Sequence, residues 1–159
     1  MLFNKVQAQV KTNIGDLSIM AYASAGASKP IIIYYTGDGG FNSFSTAFAK
    51  QLNDKGYPVV SFNCLKNFWK PKTPDQPASE ATGLISYYES LWQRKKIILI
   101  GYSFGADILP FIFTRLPKNQ TDDAEQVILL SPSNHTDLKY TLPRCLERIK
   151  MEQIMFRLK

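Results

Sequence analysis

The sequence predicts a three-layer α/β domain: a mainly parallel sheet between two helical layers, incomplete at its C-terminal side. Three apolar runs carry this expectation: Pro30–Tyr35 (PIIIYY), Tyr57–Phe62 (YPVVSF) and Lys96–Ile100 (KIILI). None alternates with polar residues, which marks strands buried on both faces. Each is followed by a glycine or polar break and then a helical stripe, and strand alternating with helix implies parallel strands covered on both sides.

The elements follow in order. Lys5–Lys11 and Leu17–Ser24 have β character and are joined by the turn signal Asn13-Ile14-Gly15-Asp16. After PIIIYY comes Gly37-Asp38-Gly39-Gly40. Asn42 to Lys55 then carries Phe44, Ala47, Phe48 and Leu52 at helical spacing, and Gly56 closes it. YPVVSF leads into a loop with Pro71, Pro74 and Pro77. From Ala78 to Trp92, the residues Leu84, Ile85, Tyr88, Leu91 and Trp92 form one helical stripe. KIILI is followed by Ser103–Leu116, apolar almost all round, as a helix packed under a sheet should be. Val127–Leu130 is a fourth buried strand. After Ser133 the rhythm stops.

A chain of 159 residues fits one domain with a sizeable core. The net charge of +6 is concentrated at the end. From Thr136 onward, Lys139, Arg144, Arg148, Lys150, Arg157 and Lys159 outnumber Asp137, Glu147 and Glu152. The body mixes both signs, which argues against a nucleic-acid partner. Cys64 and Cys145 lack metal-ligand spacing and read as free thiols. The N-terminus has no apolar segment of signal-peptide length, and no run is long enough to span a membrane, so at face value the chain is cytoplasmic. Nothing calls for a metal or cofactor.

The chemistry is expected at Gly101-Tyr102-Ser103-Phe104-Gly105, a G-x-S-x-G placed directly between a buried strand and a helix. In that context the pattern is a nucleophile elbow of an α/β-hydrolase-like fold. Gly101 and Gly105 let strand and helix approach closely. Ser103 is held above the sheet at the positive end of a helix, where a developing anion is stabilised. The alternative is a glycine-bracketed turn with a serine cap, and the context favours the elbow. An oxyanion hole needs the N–H of the residue after the nucleophile, Phe104, and a second donor from an earlier strand's loop, which points to Asp38 and Gly39. A plain turn is the other reading of that loop; a P-loop is excluded because no Gly-Lys-Ser/Thr follows. Ser103 needs a base, and the only histidine is His135. It falls too early for the usual order of serine, acid, histidine, and a loop-capping role competes with a role as base. Asp107, four residues past Ser103, reads as structural.

The string Leu99-Ile100-Gly101-Tyr102-Ser103-Phe104-Gly105-Ala106-Asp107-Ile108-Leu109-Pro110, with Arg115-Leu116-Pro117, resembles the elbow of the VirJ/AcvB family of bacterial virulence-associated proteins. Thr36-Gly37-Asp38-Gly39-Gly40-Phe41 resembles a second block, where the family has serine first and tryptophan last. Leu65-Lys66-Asn67-Phe68-Trp69 with Thr73-Pro74 resembles a third. The resemblance runs from about Pro30 to Asp137. It implies an α/β-hydrolase fold, a periplasmic location, and a link to virulence and type IV secretion proteins. It also implies hydrolysis of an acyl ester such as aminoacylated phosphatidylglycerol, with Ser103 as nucleophile.

This chain departs from the resemblance at both ends. Relatives carry an export signal and continue through further strands that bring the triad acid and histidine. The expectation is therefore a partial hydrolase domain over 1–137, and a tail over 138–159 that is foreign to the fold and poorly ordered. One inserted base near the Asp137 codon, with permitted codons, would turn the tail into Asp-Phe-Glu-Ile-His-Phe-Ala-Glu-Met-Leu-Gly, which is family-like; a frameshift is the corresponding hypothesis. A chain without the late acid and histidine should be a poor catalyst. The alternative function is a non-catalytic binding or chaperone module of a secretion apparatus.

Overall fold

The computed structural model describes residues 9–10, 14–26 and 28–133. Six strands form one sheet in the order β1-β2-β4-β3-β5-β6. They are β1 (Gln9–Val10), β2 (Ile19–Tyr22), β3 (Ile31–Tyr35), β4 (Val59–Phe62), β5 (Ile97–Tyr102) and β6 (Ala124–Leu130). β3, β4, β5 and β6 are mutually parallel, whereas β2 runs antiparallel to β4 and to β1. The expected parallel sheet is present, with a reversed pair at one edge.

Alternation along each strand divides the core in two. Ile31, Ile33 and Tyr35 of β3 and Leu99 of β5 face α3 (Gln76–Trp92) and α4 (Phe104–Phe113). Ile32 and Tyr34 of β3 and Ile100 of β5 face α1 (Ser43–Asp54). Helices thus cover both faces, and all five residues of β3 are buried.

Several elements differ from the sequence expectation. α1 presents Ser45, Ala49 and Asn53 to the sheet, with Phe48 and Leu52 half-buried, whereas Phe44 and Ala47 are exposed. Small residues at 45 and 49 let the helix sit close, and Asn53 donates to the carbonyls of Ala23 and Tyr57 at 3.0 and 2.8 Å. α3 starts at Gln76, so Pro77 belongs to its first turn, where a missing N–H costs nothing. Its stripe is Ala78, Ala81, Leu84, Ile85 and Tyr88; Leu91 is exposed. Two short helices were not anticipated, α2 (Cys64–Asn67) and α5 (Lys118–Asp123), and β6 begins three residues earlier than expected. His135, Cys145 and the tail 138–159 lie outside the described residues.

Candidate active site

The turn between β5 and α4 carries the expected serine. Ser103 has φ 51° and ψ −119°, a combination that L-residues adopt only under constraint. The constraint is visible on each side of it. The Ser103 N–H donates to the Leu130 carbonyl at 2.9 Å, which ties the turn to the end of β6. The Ser103 carbonyl accepts from the N–H groups of Ala106 and Asp107 at 2.8 and 3.1 Å, which starts α4. The side chain makes no capping bond to its own helix, and the residue is half-buried.

Steric closeness explains the two glycines. A Cβ on Gly101 would lie 2.5 Å from the Gly105 carbonyl oxygen and 2.7 Å from the Ala106 backbone. A Cβ on Gly105 would run into the carbonyl oxygens of Tyr35 and Thr36. Strand β5, helix α4 and the end of β3 therefore meet at backbone contact distance.

That contact brings the glycine-rich loop against the serine. A Cβ on Gly37 would stand 3.4 Å from the Ser103 Cβ and 3.2 Å from the Tyr102 ring. The loop closes on itself through the Gly40 N–H, which donates to the Gly37 carbonyl at 3.0 Å, and Gly40 takes φ +59°. Asp38 and Gly39, at the tip of this turn, are exposed. Thr36 anchors the base: it is fully buried, its hydroxyl accepts from the Cys64 N–H at 3.1 Å and donates to the Gly37 carbonyl at 3.2 Å. Asn42 follows as the cap of α1, accepting from the Ser45 N–H at 2.9 Å. Phe104, whose amide lies in the first turn of α4 without an intrahelical acceptor, packs edge-on against Phe68 at 5.5 Å. The glycine loop and the first turn of α4 thus both border Ser103.

Of the remaining candidates, Cys64 is a free thiol, buried, and its pKa is pushed up by burial, so it is no rival nucleophile. Asp107 does not face the serine hydroxyl as a partner. Its carboxylate accepts from the Ser133 N–H at 2.8 Å and from the Ser133 hydroxyl at 2.5 Å, pinning the chain just past β6. Among the described residues, no cluster of histidine, cysteine and carboxylate groups could hold a metal ion, and no helix is long and apolar enough to cross a membrane.

The surroundings hold residues that sequence reasoning left out. The Phe44 ring, on the first turn of α1, packs tilted against Tyr102 at 4.8 Å, beside the serine. Leu65 touches the glycine loop: a Cβ on Gly40 would meet its Cβ at 3.0 Å. Trp69 follows Phe68 and is exposed. Helical spacing assigned Phe44 to the core, and nothing in spacing separates a rim aromatic from a core one.

Strand order, the reversed β2 and the serine turn after β5 place the protein in the α/β-hydrolase fold. Solved structures of that class are similar to it. Est1E from Butyrivibrio proteoclasticus aligns with a TM-score of 0.54 and 17% identity, over 74% of this chain and 48% of its own. Brefeldin A esterase, a bacterial homologue of human hormone-sensitive lipase, gives 0.54 and 14%, over 73% and 36%. The poly(3-hydroxybutyrate) depolymerase LpqC from Bordetella parapertussis gives 0.54 and 14%, over 71% and 45%. The chain thus spans half or less of the length of these esterases. No curated protein matches it in sequence. The chain belongs to the family described as bacterial virulence protein (VirJ), which matches residues 29–150.

Proposed function

We propose that the protein carries the nucleophile half of a serine-dependent acyl-ester hydrolase. The observation behind this reading is the backbone of Ser103, held at φ 51° against the glycine loop. In the reaction, the Ser103 Oγ attacks the ester carbonyl carbon and gives its proton to a base. The carbonyl oxygen takes up negative charge beneath the amides of Phe104 and the Asp38–Gly39 turn. The C–O bond then breaks, the alcohol leaves with a proton, and water cleaves the acyl-serine to free acid and restored hydroxyl. His135 is the chain's only imidazole and hence its candidate base. The substrate class that goes with the family resemblance is an acyl ester on a lipid, such as aminoacylated phosphatidylglycerol. A periplasmic location and a link to type IV secretion belong to the same proposal.

A second reading has one observation in its favour: a single histidine in the whole chain. Under it, the domain is a binding or chaperone module that keeps the hydrolase frame. A fluorophosphonate probe decides between them. Labelling of Ser103, lost in Ser103→Ala, supports the hydrolase, and slow ester turnover by this chain that disappears in His135→Ala assigns the base. A serine left unlabelled, both here and in a longer relative, supports the binding module.

A further inference from the structure

We propose that the rim beside Ser103, built from Leu65, Trp69 and Phe44 with Lys66 and Lys70, seats on the surface of an anionic phospholipid bilayer. The three apolar side chains are among the most exposed large hydrophobic residues described: Trp69 at 76%, Phe44 at 49% and Leu65 at 42%. They are not scattered. Phe44 packs tilted against Tyr102, the neighbour of Ser103. Leu65 bears on Gly40 of the glycine loop. Trp69 is adjacent to Phe68, which packs on Phe104. All three lie around the carboxyl ends of β3, β4 and β5, on the side of the sheet where the serine opens.

The same segment carries concentrated positive charge. Lys66 and Lys70 are exposed, and neither has an ion-pair partner among the described residues. Lys72 stands over the Phe68 ring at 5.6 Å and is paired with Glu80. No acidic residue occurs between Ser61 and Pro74. The Trp69 N–H donates to the Lys66 carbonyl at 3.4 Å, a turn that follows the end of α2 at Asn67. Leu65 and Lys66 lie on α2, Trp69 and Lys70 in the bend after it, and all four are exposed. Indole and leucine beside free lysines suit the headgroup layer, where an amphipathic ring and a cation are both satisfied.

Charge decides among other occupants. Residues 134–159 hold six lysines and arginines against three acids, and the first eight residues hold Lys5 and no acid. These parts of the chain would meet a positive rim with positive charge, and a second copy would offer the same rim. The location next to Ser103 rests on the ester-hydrolase reading for its purpose; the binding itself does not.

The test is flotation of the full chain with vesicles of phosphatidylglycerol and phosphatidylcholine, against phosphatidylcholine alone, with tryptophan emission followed in parallel. The expected result is binding to the anionic vesicles only, weakened by salt, with a blue shift in emission that is absent in Trp69→Ala. Lys66→Gln with Lys70→Gln should lower the partition coefficient by about tenfold or more. All three positions are exposed, so an unchanged circular dichroism spectrum should accompany the loss. Equal binding to both vesicle types, or anionic binding untouched by these substitutions, overturns the proposal. So does a chain that ignores vesicles but binds polyglutamate, which would mark the rim as a site for an acidic protein. No ester is turned over in these assays, so failure here and failure of the hydrolase reading are separately visible.

Discussion

A methyl group at residue 105 has nowhere to go, because the carbonyl oxygens of Tyr35 and Thr36 already occupy its place. All of these atoms are backbone and cannot swing aside. Gly105→Ala and Gly101→Ala are each expected to cost about 3 kcal/mol, at the upper end of overpacking penalties. Gly83 is the contrast. It lies inside α3, where an added methyl would meet nothing within 4 Å, so Gly83→Ala should raise stability by about 0.5–1 kcal/mol. Urea denaturation of the three variants checks the ordering. Glu89, also on α3, gives a pH signature. Burial, and next the nearby Asp123, raise its carboxyl above the ordinary 4.5, and its Oε1 is buried with no hydrogen-bond partner among the described residues. The folded state therefore holds this proton more tightly than the unfolded chain does. Stability from this group is full below the ordinary value and declines as pH rises through the raised one. Glu89→Gln should melt higher than the parent at neutral pH, and the two curves should converge on acidification; a constant gap across pH would contradict this.

Among elements, legibility followed the source of each element's stability. β3 and β5 were readable because a strand buried on both faces has only apolar residues to offer. β6 was read short because the polar, exposed Glu125 and Gln126 separate Ala124 from the apolar run; pairing with β5 fixes the strand there. α5 has no apolar stripe at all. It is docked by Gln120, which donates to the Thr82 carbonyl and the Ser86 hydroxyl at 3.0 Å each, a tertiary contact that periodicity does not encode. In the site, Ser103 and its loop were legible because glycines record backbone crowding, whereas the exposure of Phe44 and Trp69 is a property of the assembled surface. The join between α4 and the end of β6 is likewise tertiary. Removing it with Asp107→Ala should cost about 1–3 kcal/mol, since two bonds from Ser133 are lost. Hydrogen exchange at the Ser133 amide should speed up, while exchange within α1 stays as it was.

On the scale of the whole molecule, the described residues cover the sheet unevenly. α3 and α4 pack on one face, while α1 serves the other from the β3–β4 side. Ile128 and Leu130 on that second face are only half-buried, and among the described strands β6 pairs with β5 alone. An apolar strand with a free edge recruits other strands. The isolated chain should therefore self-associate: light scattering should grow with concentration, and Ile128→Lys should reduce it. A monodisperse monomer at all concentrations would count against this account.

The strand order also sets a timetable for synthesis. β2, β3 and β4 are all encoded within the first 62 residues and lie side by side, so a collapsed three-stranded unit can assemble while the ribosome is still translating. The other edge of β3 must then wait for β5, whose first residue is 97. During that interval, a few seconds at ordinary elongation rates of about 5–20 residues per second, the central strand of the finished sheet is an open border. The nascent chain is thus most vulnerable to misassembly before β5 is available to pair with β3.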